Sequence, residues 1–545
     1  MRVIRSCGKY LKRHCLLLIV YSALAVAVKA VGIAAPYITG GFINGLIASE
    51  GMDFVYGYCL LLAGLTLLSL VLGYIITRLY IHLQMAMGAG YNLDVLKHLQ
   101  SVPLSCLEGQ DLVRLNQQIN TDTNGLIIFC LGLANSLPSN IVSLVLMLII
   151  CIGINPLISS LFSLYCILYI LIYALSRKKK FRTSYAQLEA QNRFFSALFE
   201  QLSHIGFIRA QGVEEYFRSR TAGPYRALYR STVESQRFGW LLGGIDTLLS
   251  LLCQLTLYIT GAAQIMDGAF TIGGFIIFSA YFSMALSSIR YFYSLGSTYQ
   301  EALVSHERLK RLEAIPEESA GDAEPERMGS IRIEGLSFSY GEHVIFDDLS
   351  ETFEKGAIYA IAGPNGSGKT TLTRILLGLY TEDITCGTLK AGGMRLDKMR
   401  RTSYRRRSVA YAEQEPVLFS GSLRENIMLG DADSDRWARA QELLRHFGVD
   451  WLLCSPAGAD GDLPDGLSGG EKQKLSLVRA LSKNADIVLL DEPTAALDAR
   501  SSKALFEYLK SISADKIIIL ITHDGGIMDL CDHVLRLDAP ISGTS

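Results

Sequence analysis

Apolar residues along this chain gather into six long runs. They span about Leu16–Ile43, Phe54–Ile81, Gly125–Ile152, Leu157–Leu175, Phe238–Ile265 and Ile272–Phe292. A helix needs about 20 mostly apolar residues to cross a bilayer, so each run predicts a membrane span. Beyond Leu312 the pattern changes. Apolar runs shorten to strand length, as in AIYAIA (Ala357–Ala362) and IVLLDEP (Ile487–Pro493), and alternate with helical stretches such as LTRILLGL (Leu372–Leu379). Such short runs read as buried strands beside helices.

The connections between the runs alternate in length. The links near Ala48–Asp53, Gly153–Pro156 and Met266–Thr271 are short, without Lys or Arg, and carry Glu50, Asp53 and Asp267. The long connections hold the positive charge: Arg177, Lys178, Lys179, Lys180 and Arg182 directly follow the fourth run, with Arg193, Arg209, Arg218 and Arg220 beyond. Positive residues stay on the cytoplasmic side. Both termini and both long connections are therefore expected there, with the short links facing outward. Leu198, Leu202, Ile205 and Ile208 recur at helical spacing, so helices two to five should continue past the bilayer. At 1.5 Å per residue, Arg177–Arg237 can run out and back by about 40 Å. Lys29 and Asp246 lie inside apolar runs. A charge at that depth lines a polar cavity, snorkels, or joins an internal ion pair.

Composition agrees with a membrane protein. Of 545 residues, 50% are hydrophobic and 19% charged, against roughly 25% charged in soluble proteins, and mean hydropathy is +0.28. A net charge of −1 gives no reason to expect nucleic acid as a partner. The 11 cysteines form no CxxC pair, and several sit in apolar runs, as small buried hydrophobes do. The basic start MRVIRSCGKYLKRHC leads into an apolar run that continues past Ala35, which reads as a cytoplasmic approach to a retained helix. Three segments follow: a six-helix membrane domain over 1–312, an acidic, solvated linker over 313–330 with Pro316 and Pro325, and a soluble domain over 331–545.

The soluble domain carries the chemistry. GPNGSGKTT (Gly363–Thr371) fits G-x-x-x-x-G-K-[ST] between a strand and a helix. Its glycines let backbone N–H groups close around phosphate oxygens, and the helix N-terminus adds its dipole. Gly363, Asn365, Gly366, Ser367, Gly368, Lys369, Thr370 and Thr371 are the candidate nucleotide-binding residues, with Lys369 on the β- and γ-phosphates and the Thr370 hydroxyl on Mg²⁺. The strand IVLLDEP ends in Asp491, placed to hold Mg²⁺ through water, and Glu492, placed to orient or deprotonate an attacking water. LSGGE (Leu467–Glu471) opens a further helix and forms a second anion site.

The order GPNGSGKTT, Gln414, LSGGE, LLDEPTAALD and His523 in ITHD resembles the ATP-binding cassette family over Ile331 to about Leu537. The six runs before it are similar to the type IV exporter arrangement of that family. The fold class implied is a six-span α-helical domain followed by an α/β P-loop NTPase. The resemblance implies that Tyr340 stacks on adenine and that Gln414 reaches Mg²⁺ and the attacking water. It implies that Ser468, Gly469 and Gly470 bind the γ-phosphate across a dimer, that Asp498 crosses the dimer seam, and that His523 contacts the γ-phosphate. Glu492, His523 and Gln414 form the catalytic set, Thr370, Gln414 and Asp491 the Mg²⁺ set. Ser101–Asp122 and Glu200–Glu215 resemble the two intracellular loops whose tips press on the cassette.

Two departures stand out. Glu471 replaces the Gln usual in exporters, and Gly461–Gly466 (GDLPDG) departs from a Gly-Glu-x-Gly pattern. One chain holds one phosphate loop and one signature, so the resemblance implies a second half-transporter chain. Intact Glu492, Ser468 and His523 favour an identical one over a related subunit. The expectation is an ATP-hydrolysing exporter of an unidentified lipid, peptide or drug-like substrate. A metal-chelate importer and an ATP-gated membrane sensor or channel are the alternatives.

Overall fold

A computed structural model describes residues 2–538 apart from 49–50, 109–111, 319–320, 342, 455–457 and 465. Glu50, Asp465 and part of the first loop segment lie outside the described residues. The chain divides into two compact units, Met1–Lys97 with Asp111–Ala314, and His98–Gln110 with Ile315–Ser545.

The first unit is built from six long helices: α1 (Cys15–Ile47), α2 (Met52–Ser101), α3 (Leu112–Ile154), α4 (Pro156–Ser203), α5 (Glu214–Met266) and α6 (Ile272–Glu313). All six are long and apolar enough to cross a membrane. With 50, 48 and 53 residues, α2, α4 and α5 reach about 70–80 Å, far beyond a bilayer. The sequence predicts extensions on helices two to five, but α6 also continues, through Glu313. Apolar density falls after Phe292, yet Ala302, His306 and Leu309 stay buried along one stripe. Such a stripe suffices for a helix that leaves lipid and packs on protein.

Short caps make the outer turns. Asn155 accepts from the N–H groups of Leu157 and Ile158, both at 3.1 Å, and Pro156 follows as the first helical residue of α4. Thr271 caps α6 by accepting from Gly274 N–H at 3.0 Å. Near these turns α1 and α6 touch backbone to backbone: a Cβ on Gly273 would stand 2.0 Å from Gly40 O, and one on Gly40 would stand 2.6 Å from Gly273 O. Asn44 seals the contact, its Oδ1 accepting from Gly273 N–H at 2.9 Å. Further in, the Tyr281 phenol donates to Ile33 O at 2.8 Å. Over half of the apolar window of α6 is buried inside the unit, and none of that of α2, which therefore shows its apolar side chains outward.

Asp246 on α5 pairs with Arg290 on α6 and accepts from the Tyr173 phenol at 3.3 Å. Of the three readings of a charge at that depth, the internal ion pair is present for Asp246. Its partner lies inside the sixth apolar run, where a single charge hardly alters the pattern. Lys29 makes no hydrogen bond or ion pair with a described residue.

The second unit holds two sheets. Strands β1 (Ser330–Tyr340), β2 (His343–Glu354), β4 (Ile384–Ala391) and β5 (Met394–Arg395) form an antiparallel sheet in the order β2-β1-β4-β5. Strands β3 (Ile358–Ala362), β6 (Val409–Ala412), β7 (Ile487–Asp491), β8 (Ile517–Ile521) and β9 (His533–Arg536) form a parallel sheet in the order β6-β7-β8-β3-β9. Every residue of β3, β7 and β8 is buried, the signature of a parallel sheet covered on both faces. Helices α7 (Lys369–Leu376), α8 (Gly469–Leu481) and α9 (Ala499–Ile512) follow β3, precede β7 and follow β7 in the chain. The acidic segment before β1 is held rather than freely solvated. Glu318 meets Arg405 at 2.8 Å and the buried Arg401 at 3.2 Å, and Glu324 meets Arg400 at 2.7 Å. Burial pushes the Glu318 carboxyl up, but Arg405 and Arg401 outweigh it and hold it below the usual glutamate range.

Candidate nucleotide site

The phosphate loop is the turn between β3 and α7. Gly366 and Gly368 have φ of 85° and 90°, a left-handed backbone that glycine adopts without penalty. A Cβ on Gly368 would also meet Ile345 at 2.5 Å and Phe346 at 2.7 Å, and one on Gly363 would meet Ser367 Oγ at 2.6 Å. Lys369 Nζ donates to Gly363 O at 2.7 Å and Pro364 O at 3.0 Å, so its ammonium lies within the loop. The Ser367 hydroxyl is buried without a partner among the described residues. Asn365 is exposed, as is Thr370 in the first turn of α7, while Thr371 is buried. Tyr340 closes β1, with its phenol 3.4 Å from Thr371 Oγ1.

At the end of β7, Asp491 is buried. Burial and the adjacent Glu492 push its carboxyl up to about 6, against the downward pull of Lys369 and Arg374. Glu492 has φ of 42°, rare for a residue with a Cβ, at a cost of about 1–3 kcal/mol. Its N–H donates to Ile521 O at 2.9 Å, which anchors the strained residue to β8. Gln414 Nε2 donates to Glu492 Oε2 at 3.0 Å, and His523 Nδ1 lies 3.0 Å from Glu492 Oε1. Gln414, Glu492 and His523, far apart in sequence, thus converge on one carboxylate, which leaves the Gln414 amide oxygen available.

The signature is a separate cluster. Ser468 caps α8 through a capping box: its hydroxyl accepts from Glu471 N–H at 3.3 Å, while Glu471 Oε2 accepts from Ser468 N–H at 2.8 Å and from its hydroxyl at 2.7 Å. Glu471 therefore does the capping work that a Gln would do, with a full negative charge. Gly470 is confined, since a Cβ there would stand 2.8 Å from Ala496 O; Gly469 is open. Asp498 caps α9 by accepting from Ser501 N–H at 2.7 Å and pairs with Lys474 on α8 at 3.5 Å. Among the described residues, no hydrogen bond or ion pair joins Ser468–Gly470 to Gly363–Thr371. In the divergent segment before the signature, Leu463 N–H donates to Gly421 O at 3.0 Å, and just ahead of it Asp460 pairs with Arg424 at 2.8 Å.

Sequence reasoning passed over Arg479. This buried side chain on α8 donates to Val417 O at 2.8 Å and Asn426 O at 2.7 Å, and pairs with Glu413 at 3.3 Å. It ties the helix opened by the signature to the loop that carries Gln414. An Arg within the apolar stretch LSLVRAL was the available sign, since a buried Arg needs partners.

The donor set suits a nucleoside triphosphate with Mg²⁺. The loop offers an unpartnered buried hydroxyl, a lysine and glycine-lined backbone at a helix start. The Thr370 hydroxyl, the Gln414 amide oxygen and the Asp491 carboxylate are the hard oxygen donors that Mg²⁺ takes.

Comparison with known proteins agrees. A family profile described as "ABC transporter transmembrane region" matches residues 18–289, and one described as "ABC transporter" matches residues 346–495. A probable ABC transporter ATP-binding/permease protein of Haemophilus influenzae is 34% identical over 50% of this chain and 49% of its own length. The mycobactin import ATP-binding/permease protein IrtB of Mycolicibacterium smegmatis is 36% identical over 42% of this chain and 41% of its own. The chain thus spans about half or less of the length of these relatives. A solved structure of a bacterial Atm1-family ABC exporter with ATP bound covers 97% of this chain and 94% of its own at a TM-score of 0.79, and at 20% identity it bears on the fold alone. With a matching membrane region and a matching cassette fused on one polypeptide, this integral membrane protein belongs to the ABC transporter family.

Proposed function

We propose that this chain is one half of an ATP-hydrolysing exporter that works as a dimer. The observation that carries the reading is the separation, within one chain, of a complete phosphate loop from a complete signature cluster. Each would be completed by the facing element of a second copy, across which Asp498 would reach. Gly363–Thr371 would hold the phosphates, and Tyr340 would stack on the base. Mg²⁺, held by Thr370, Gln414 and Asp491, would neutralise charge on the phosphates. Glu492 would take a proton from the attacking water, with its two oxygens already oriented by Gln414 and His523. Closure and reopening of the cassette pair would switch the membrane helices between inward- and outward-facing states. Intact Glu492, Ser468 and His523 support two identical chains.

The test uses the full chain in sealed vesicles of known orientation. Glu492→Gln should bind MgATP as wild type does yet lose about 99% of turnover, whereas Lys369→Ala should weaken binding itself by about tenfold or more. Normal turnover in Glu492→Gln would remove Glu492 as the base. The IrtB relative, whose name gives mycobactin import, supports a second reading, import in place of export, and the direction of uphill flux separates the two. ATP-dependent flux that never runs uphill would replace both with a gated channel.

A further inference from the structure

The His98–Gln110 connection between α2 and α3 belongs to the cassette unit. Glu108 is its anchor. Its Oε1 accepts from Arg374 Nη1 at 2.6 Å, and its Oε2 accepts from the Tyr380 phenol. Arg374 Nη1 also donates to Tyr380 Oη at 2.9 Å. A second tie, Ser105 Oγ to Asp383 Oδ1 at 3.2 Å, holds the turn before it. Tyr380 is fully buried, so its O–H needs an acceptor, and Glu108 supplies it.

The ring of Tyr380 leads to the nucleotide site. It stacks on Phe338 with centroids 5.6 Å apart, and both rings meet Tyr340 edge-on, at 6.0 and 5.0 Å. Tyr340 is about 38% exposed, and besides these rings its phenol lies 3.4 Å from Thr371 Oγ1. Arg374 lies on α7, five positions after Lys369.

We propose that Glu108 is a positioning residue for Tyr340: through Tyr380 it sets the ring on which the base stacks, so that base recognition answers to the connection between α2 and α3 while phosphate binding does not. Without Glu108 the buried phenol loses its acceptor and Arg374 its counter-charge. Tyr380 then shifts, and the edge-on packing that orients Tyr340 shifts with it. The phosphate loop keeps its own glycines and Lys369.

The inference rests on Tyr340 as the base-stacking ring, and the experiment separates the two. Hydrolysis by the full chain in nanodiscs is measured against MgATP, with inorganic tripolyphosphate as a base-free competitive inhibitor. Glu108→Ala should raise the KM for ATP by about three- to tenfold, the effect of one lost charge-assisted hydrogen bond felt partly at a distance, with kcat within about twofold. The tripolyphosphate inhibition constant should not move. Glu108→Gln, which keeps an acceptor, should recover part of the loss. Tyr380→Phe should match Glu108→Ala, and the double variant should be no worse than either. An unchanged KM in both Glu108→Ala and Tyr380→Phe overturns the proposal, as does an equal shift in the tripolyphosphate constant. If Tyr340→Ala leaves the KM for ATP unchanged, the stacking reading itself fails, whatever Glu108 does.

Discussion

The two units of this chain use their residues differently. In the cassette, the candidate site residues sit at points: the ends of β3, β7 and β8 and the openings of α7 and α8. Each point has fixed residue types because a phosphate oxygen, a cation or a left-handed backbone admits few alternatives. In the membrane unit most positions along α2 need only be apolar, and specificity is confined to sparse contacts between helices distant in sequence.

The contrast can be sharpened first where the membrane unit behaves like the cassette. Gly273 meets Gly40 backbone to backbone. Gly273→Leu should cost more than about 4 kcal/mol and abolish the monodisperse peak in detergent. Gly64→Ala on α2, where nothing lies within 4 Å, should leave the peak intact. Equal yields of the two would break the distinction.

A smaller effect is expected at the ion pair. Asp246→Asn leaves Arg290 uncompensated in an apolar run, and should change substrate-stimulated hydrolysis by about three- to tenfold while basal hydrolysis stays within twofold. If stimulation matches wild type in both Asp246→Asn and Arg290→Gln, the pair only holds α5 to α6.

The smallest change concerns the signature. Glu471→Gln retains the acceptor that caps α8 and removes only the charge beside Ser468. Stability should stay within about 0.5 kcal/mol, and the KM for ATP should fall by about twofold or less at low salt. A thermal melt and a salt series measure both. A rise in KM would show that the carboxylate assists the site.

Point-like function is what a sequence displays best. The phosphate loop, the Asp491–Glu492 strand end and the signature are each contiguous, so they were legible along with the six apolar runs. Glu108 was legible only as part of a segment resembling an intracellular loop; its tie to Tyr380, 272 positions away, was not, because no local pattern joins the two. Arg290 lay inside a predicted span but was averaged away, since a run is judged by its mean. The far half of α6 was missed because one buried stripe on a polar helix resembles a solvated helix. The pairing of Glu318 and Glu324 with Arg400, Arg401 and Arg405 joins an acidic and a basic run separated by the whole antiparallel sheet, and composition alone assigns both to solvent.

The Gly40–Gly273 contact also sets a mechanical ratio. Two rods fastened there, and again where Tyr281 bonds to Ile33, can part only beyond the second tie, and the gap would grow with distance from it. From Ile33 to the start of α1 at Cys15 the lever is about 27 Å at 1.5 Å per residue. A swing of about 5° beyond that tie would open about 2 Å at the far end, and one of about 10° about 5 Å. With one side chain missing from each helix the two backbones meet at that end, so any parting of α1 from α6 would be largest at the other.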